Sequence, residues 1–202
     1  DEATRIKALK ELAIDFDKGG FVDKAINAYR DVLKVNRDQV DVIMALCRIL
    51  EDTQDWDEAL KYRKLLSKAS NKSQAETISN ILVQKSKEFL EKGNLVESMD
   101  ILEESFRFAP SVAAKIMRLK VSISDGDLEK SKDYLMEFLK ENPLYSSFLF
   151  VSLKEDSDII SQSFPSYIET LDLIKLYFIE IDSSDLKFSP SIVLSKIRLL
   201  EE

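Results

Sequence analysis

Gln54-Asp55-Trp56-Asp57-Glu58-Ala59-Leu60 decides how this 202-residue chain is read, because it is one of four versions of a single corner. The other versions are Gly20-Phe21-Val22-Asp23-Lys24-Ala25-Ile26, Gly93-Asn94-Leu95-Val96-Glu97-Ser98-Met99 and Gly126-Asp127-Leu128-Glu129-Lys130-Ser131-Lys132. Their small residues, Ala25, Ala59, Ser98 and Ser131, follow one another at intervals of 34, 39 and 33 residues. Each position has a physical reason. Gly, or a polar substitute, ends one helix. A large apolar residue (Trp56, Leu95, Leu128) staples the corner. The small Ala or Ser then lets the second helix approach the first closely. Four residues on, along the same helical face, stand Tyr29, Leu102 and Leu135, with Arg63 as the departure in the second copy.

A period of 34 residues made of two antiparallel helices is that of the tetratricopeptide repeat. The expected fold is therefore all-α: a tetratricopeptide-repeat superhelix (α-solenoid) of about four helix pairs plus C-terminal helices. The repeats fall at about 6–39, 40–73, 77–111 and 112–143, with degenerate repeats or capping helices over 144–202. Pro110 and Pro143 stop the second helix of the last two pairs, where Arg37 and Asn71 stand in the first two. The first helices carry apolar stripes: Leu9, Leu12, Ala13 and Phe16, then Ile43, Leu46, Cys47 and Leu50. The stripes weaken to Leu82, Lys85, Ser86 and Phe89, then Lys115, Arg118, Leu119 and Ser122. A shifted register at Ile116, Leu119 and Ile123 competes in the fourth. The five extra residues before the third repeat, within about Lys68 to Ala75, lengthen a loop or a helix end.

After Pro143 the phase fades. Leu144 to Leu153 reads as a helix. Ser163 and Pro165 open another over about Ser166 to Ile181, although Leu171 to Ile181 has a composition a strand would also accept. Ser189-Pro190 opens a last helix running to the terminus. The expectation is that the array continues past this point. A cut array leaves an apolar end face, which implies self-association.

Composition narrows function by exclusion. Apolar residues make up 45% of the chain, and only four Gly and four Pro occur, which favours helices with short connections. The net charge of −8 argues against nucleic acid, whose phosphates call for a basic face. The clusters Lys61, Arg63, Lys64 and Lys115, Arg118, Lys120 read as solvated helix faces. There is no histidine, the usual general base near neutral pH and a common metal ligand. Cys47 is the single cysteine and sits among Ile43, Met44, Ala45 and Leu46, so it reads as a small buried hydrophobe. Neither GxGxxG, GxxxxGK[ST] nor HExxH is present. Acidic neighbours such as Glu103 with Glu104, or Asp15 with Asp17, do not face each other along a helix. Glu155 to Asp158 reads as a polar loop without the Gly and terminal Glu of a calcium site. No catalytic, cofactor-binding or metal-binding residue is assigned, no cofactor is expected, and the chain reads as no enzyme. No apolar run is long enough to span a membrane. The chain opens on Asp1, so the expectation is that a signal or anchor has been removed.

What remains is protein binding. In such arrays the first helix of each pair lines a concave groove. The expected groove residues are Lys7, Lys10, Ile14, Lys18, Met44, Arg48, Glu51, Val83, Lys87, Leu90, Ile116 and Lys120. The Lys/Asn/Arg set with which some arrays clamp a C-terminal carboxylate is absent: Lys10 matches, but Ile14 takes the Asn place, and Ala45, Asn80 and Gln84 take others.

Over roughly Ala8 to Tyr145 the chain resembles the cytoplasmic array of the lipopolysaccharide assembly protein B family. The resemblance rests on Phe16-Asp17-Lys18-Gly19-Gly20, on Leu46 to Leu50 followed by Asp55-Trp56-Asp57-Glu58-Ala59, on a longer linker, and on Ala75-Glu76-Thr77-Ile78 before Gly93-Asn94-Leu95. It implies a bacterial adaptor on the cytoplasmic side of the inner membrane. Such an adaptor helps a membrane AAA+ protease control the lipid A deacetylase, and is tethered by an N-terminal anchor, which is expected to lie outside these residues. The family's metal knuckle, with two CxxC pairs, has no counterpart here. A different scaffold or chaperone for secretion, pilus or polysaccharide-export assembly stays open, as does a periplasmic or secreted location.

Overall fold

The computed structural model describes residues 1–181 and 189–201. Among them are twelve α-helices, one 3-10 turn and no strand. Two compact units divide at Ile81 and Leu82.

The first unit holds α1 (Glu2–Lys18), α2 (Val22–Val35), α3 (Val40–Asp52), α4 (Trp56–Ser70) and the opening of α5 (Ala75–Glu91). α1 packs on α2, α2 on α3, and α3 on α4. The corner chemistry is as the spacing requires. Gly20 has φ of +73° and Gln54, its counterpart, +58°, and Ala25 and Ala59 are fully buried. Asp55 caps α4 by accepting from the Glu58 N–H. Ala13, Val32, Ile43, Leu46, Cys47 and Leu66 are buried in the same unit. Leu12 departs from the expected stripe and stays 46% exposed. Asn71 stops α4 in the left-handed conformation, standing where a proline ends the later copies. The extra residues before the third repeat are spent on helix: α5 has 17 residues against 13 in α3.

The second unit continues α5 and adds α6 (Leu95–Phe108), α7 (Val112–Asp125), α8 (Leu128–Glu141), a 3-10 turn (Pro143–Tyr145), α9 (Ser146–Glu155), α10 (Ser157–Ser163), α11 (Tyr167–Glu180) and α12 (Pro190–Glu201). Serine pairs hold the close approaches here. The Ser86 and Ser98 hydroxyls lie 2.9 Å apart, and the Ser131 hydroxyl donates to that of Ser122 at 2.9 Å. α7 is the central helix, packed by α6, α8, α9 and α11, with nine of its fourteen residues buried. Burial on several sides resolves the competing registers: Ile116, Leu119, Ser122 and Ile123 are all inside. α11 is a helix where a strand was an alternative, and it contributes Tyr167, Leu171, Ile174 and Phe178 to the core shared with α6 to α9. α10 corrects the polar loop expected over Glu155 to Asp158: two helices meet there, and Asp156 at their junction is buried.

Candidate functional site

The intervals that relate the corners also relate the first helices of each pair. Lys10, Met44, Val83 and Ile116 share one repeat position; Ile14, Arg48, Lys87 and Lys120 share the next; Asp17, Glu51, Leu90 and Ile123 share a third. The same positions have opposite fates in the two units.

In the first unit they form an open face. Lys10 Nζ donates to Asp41 at 2.8 Å, and Arg48 pairs with Asp17, so two ion pairs tie α1 to α3. Arg48 also reaches Asp52 at 3.4 Å. The Lys10 bond holds the Asp41 carboxyl below its ordinary range, against a burial effect that alone would raise it. Along α1 the face reads Lys10, Ile14, Asp17, and along α3 it reads Asp41, Met44, Arg48, so one exposed apolar side chain lies between charges on each helix. Ile14 is 40% exposed and Met44 52%. Exposed pairs of this kind contribute little stability; they fix side chains around an apolar centre. Lys7 and Lys18 are exposed on α1, and Lys7 lies 4.0 Å from Glu11.

Glu51 is not available on that face. Arg63 takes both its carboxylate oxygens, at 2.6 and 3.0 Å, and adds Gln74 at 3.2 Å. This bidentate pair explains the departure at Arg63. In the third and fourth repeats the corresponding residues are Leu90 with Leu102 and Ile123 with Leu135, all buried in one core. In the second repeat an ion pair stands where those apolar pairs stand.

In the second unit the expected groove residues are taken by the chain itself. Val83, Leu90 and Ile116 are buried in the core cluster, and Lys120 is 3% exposed. Asp156 accepts from Lys87 at 2.9 Å and from Lys120 at 2.8 Å, so two consecutive first helices hold one carboxylate between them. Burial pushes the Asp156 carboxyl upward, but the bonds from Lys120 and Lys87 outweigh it and leave it below the ordinary aspartate range. The Tyr167 hydroxyl donates to the Leu153 carbonyl at 2.7 Å, and burial raises its pKa. Val83, Lys87, Leu90, Ile116 and Lys120 are therefore core or clamp residues rather than groove lining. The reason is that α9 and α11 fold onto α7 and cover the face that an isolated repeat would leave open. Asp156 lies past the repeat phase, so no spacing pointed to it. The one trace in sequence is that Lys87 and Lys120 share a register.

Burial pushes the Cys47 thiol up to about 11, in keeping with a packing residue. Among the described residues no group of three or more His, Cys, Asp or Glu is placed to hold a metal ion, and no helix is long and apolar enough to cross a membrane.

No family model matches the chain. Lipopolysaccharide assembly protein B of Haemophilus influenzae is 23% identical over 201 residues, which is 98% of this chain and 48% of that protein. The likeness thus runs past Tyr145 into the C-terminal helices, and the chain spans about half the length of this curated relative. Among solved structures, MamA is 13% identical over 91% of this chain and 96% of its own, with a TM-score of 0.45. A tetratricopeptide repeat protein from Parabacteroides merdae is 11% identical over 98% of this chain and 84% of its own, also with a TM-score of 0.45. The repeat assignment itself rests on the four corners and their helix pairs.

Proposed function

Starting from a tetratricopeptide-repeat protein that resembles lipopolysaccharide assembly protein B, we propose that the chain is a non-enzymatic adaptor whose α1/α3 face holds a segment of another protein. The observation that carries this reading is the exposed pair Ile14 and Met44, framed by the ion pairs Lys10–Asp41 and Arg48–Asp17. Such a face offers an apolar anchor with charges on both sides to set register, as a bound peptide or helix requires. Lys7 and Lys18 extend the charged border along α1.

The specific role is regulation of lipopolysaccharide synthesis, by bringing a membrane AAA+ protease to the lipid A deacetylase at the cytoplasmic side of the inner membrane. Its support is the likeness to lipopolysaccharide assembly protein B over nearly the whole of this chain. The test immobilises the chain and offers it the purified deacetylase and the purified protease. The control is Ile14→Glu/Met44→Glu, with helicity checked by circular dichroism. Arg48→Glu is a second control, while Lys87 is left alone because it anchors Asp156. Capture by the wild type with loss of at least about tenfold in the double variant is the expected result. Capture that survives the double variant refutes the α1/α3 face. Failure to capture either protein refutes the lipopolysaccharide role.

A further inference from the structure

Within the second unit, α9, α11 and α12 enclose a cleft of about 450 Å³. The Ser147 and Ser195 hydroxyls, 2.7 Å apart, join α9 to α12 beside it, and the Phe150 and Phe178 rings, with centroids 4.7 Å apart, stack α9 on α11. On this fixed base Phe148 and Val151 line the cleft yet remain 56% and 64% exposed. Large apolar side chains in a concave, half-enclosed position mark a surface that a partner covers.

The rim carries a sign. Among the described residues that line the cleft, Lys154, Lys175 and Arg198 outnumber one acid, Glu155, in a chain whose net charge is −8. Lys175 bonds Asp172 on its own helix at 3.1 Å, and Arg198 has no ion-pair partner among the described residues. A cationic border around an apolar floor is complementary to an anionic amphiphile. α9 and α12, joined through Ser147 and Ser195, form two of its walls, and a third helix can pack ridge into groove against such a pair. α9 is ten residues long and so offers about 15 Å of wall, between two and three turns of a bound helix. We propose that this cleft is a second docking site, taking the apolar face of an acidic amphipathic helix from a partner protein. The site is built from residues that the α1/α3 face does not use.

The test uses the full chain and two fluorescein-labelled synthetic helices of about four turns. Both carry Leu at i, i+3, i+4 and i+7; one has Glu at its flanking positions and the other Lys. Binding is read by fluorescence anisotropy, beside laurate as a small anionic amphiphile. The acidic helix is expected to bind at least about tenfold more tightly than the basic one, and Val151→Glu to weaken it by at least about tenfold. Val151 is exposed, so that variant keeps its helicity by circular dichroism. Lys154→Glu/Arg198→Glu is expected to reverse the preference and favour the basic helix. Equal binding of both helices, binding unchanged in Val151→Glu, or binding of laurate with neither helix overturns the proposal. So does concentration-dependent self-association that Val151→Glu abolishes.

Discussion

Gln54 holds at the second corner the left-handed backbone that Gly20, Gly93 and Gly126 hold at the others. A side chain with a Cβ is strained in that region, whereas glycine is not. Gln54→Gly is therefore expected to raise stability by about 1 kcal/mol, read as a higher urea midpoint at unchanged slope. A midpoint that falls would show that the Gln54 side chain compensates for its backbone. Cys47 gives a second residue-scale outcome. It is fully buried with its thiol pushed up to about 11, so it is expected to react with a thiol reagent at neutral pH only as fast as the first unit opens. Reaction at the rate of a free thiol would contradict its place in the core. Both residues were legible in sequence, Gln54 through its register with three glycines and Cys47 through its apolar neighbours. The Glu51–Arg63 pair was legible only in part. Arg63 stood out as a departure, but its compensation by Glu51, twelve positions earlier, needed the observation that Leu90–Leu102 and Ile123–Leu135 have the same spacing.

At the scale of elements, the junction of α9 and α10 is fastened to α5 and α7 through one carboxylate. Removing Asp156 leaves Lys120 buried without its counter-charge, and the side chain of Lys120 is only 4% exposed. Asp156→Ala is expected to destabilise the second unit by about 3 kcal/mol, as broken buried ion pairs do. The pH dependence follows from the sign of the shift. The folded carboxyl titrates below the ordinary aspartate range, so its contribution is complete above about pH 4 and is lost as the pH falls through the folded value. Urea midpoints of wild type and Asp156→Asn are expected to differ most near neutrality and to converge in acid. A gap independent of pH would mean that Asp156 acts by packing alone. The starts of α9, α11 and α12 were readable from Pro143, Pro165 and Ser189-Pro190, but α10 was not, because Glu155 to Asp158 read as a polar loop. The covering of α7 by α9 and α11 was not, because burial from several sides erases the one-sided stripe on which a helical reading depends. Lys120 illustrates the difficulty: a lysine on a helix face reads as solvated until its partner, 36 residues on and outside the repeat phase, is known.

At the scale of the whole molecule, one repeat register serves two purposes. In the first unit it presents Ile14, Met44 and Arg48 to solvent; in the second it turns Lys87 and Lys120 inward to the chain's own Asp156. The repeat phase announced the common register, and the all-α fold followed from it. Which copies stay open depends on helices whose sequence has left that phase, so the binding face we propose is that of the first two repeats alone. That restriction is the central claim, and site-specific photo-crosslinking tests it most directly. A photoreactive phenylalanine analogue replaces Met44 on the α1/α3 face, Lys34 on exposed α2 and Val96 on exposed α6 in three separate proteins. Each is irradiated in extract of the organism the chain comes from. The account expects a discrete protein adduct from position 44, lost when Ile14→Glu is added, and none of that mass from positions 34 or 96. The same adduct from all three positions, or from position 96 alone, would contradict it.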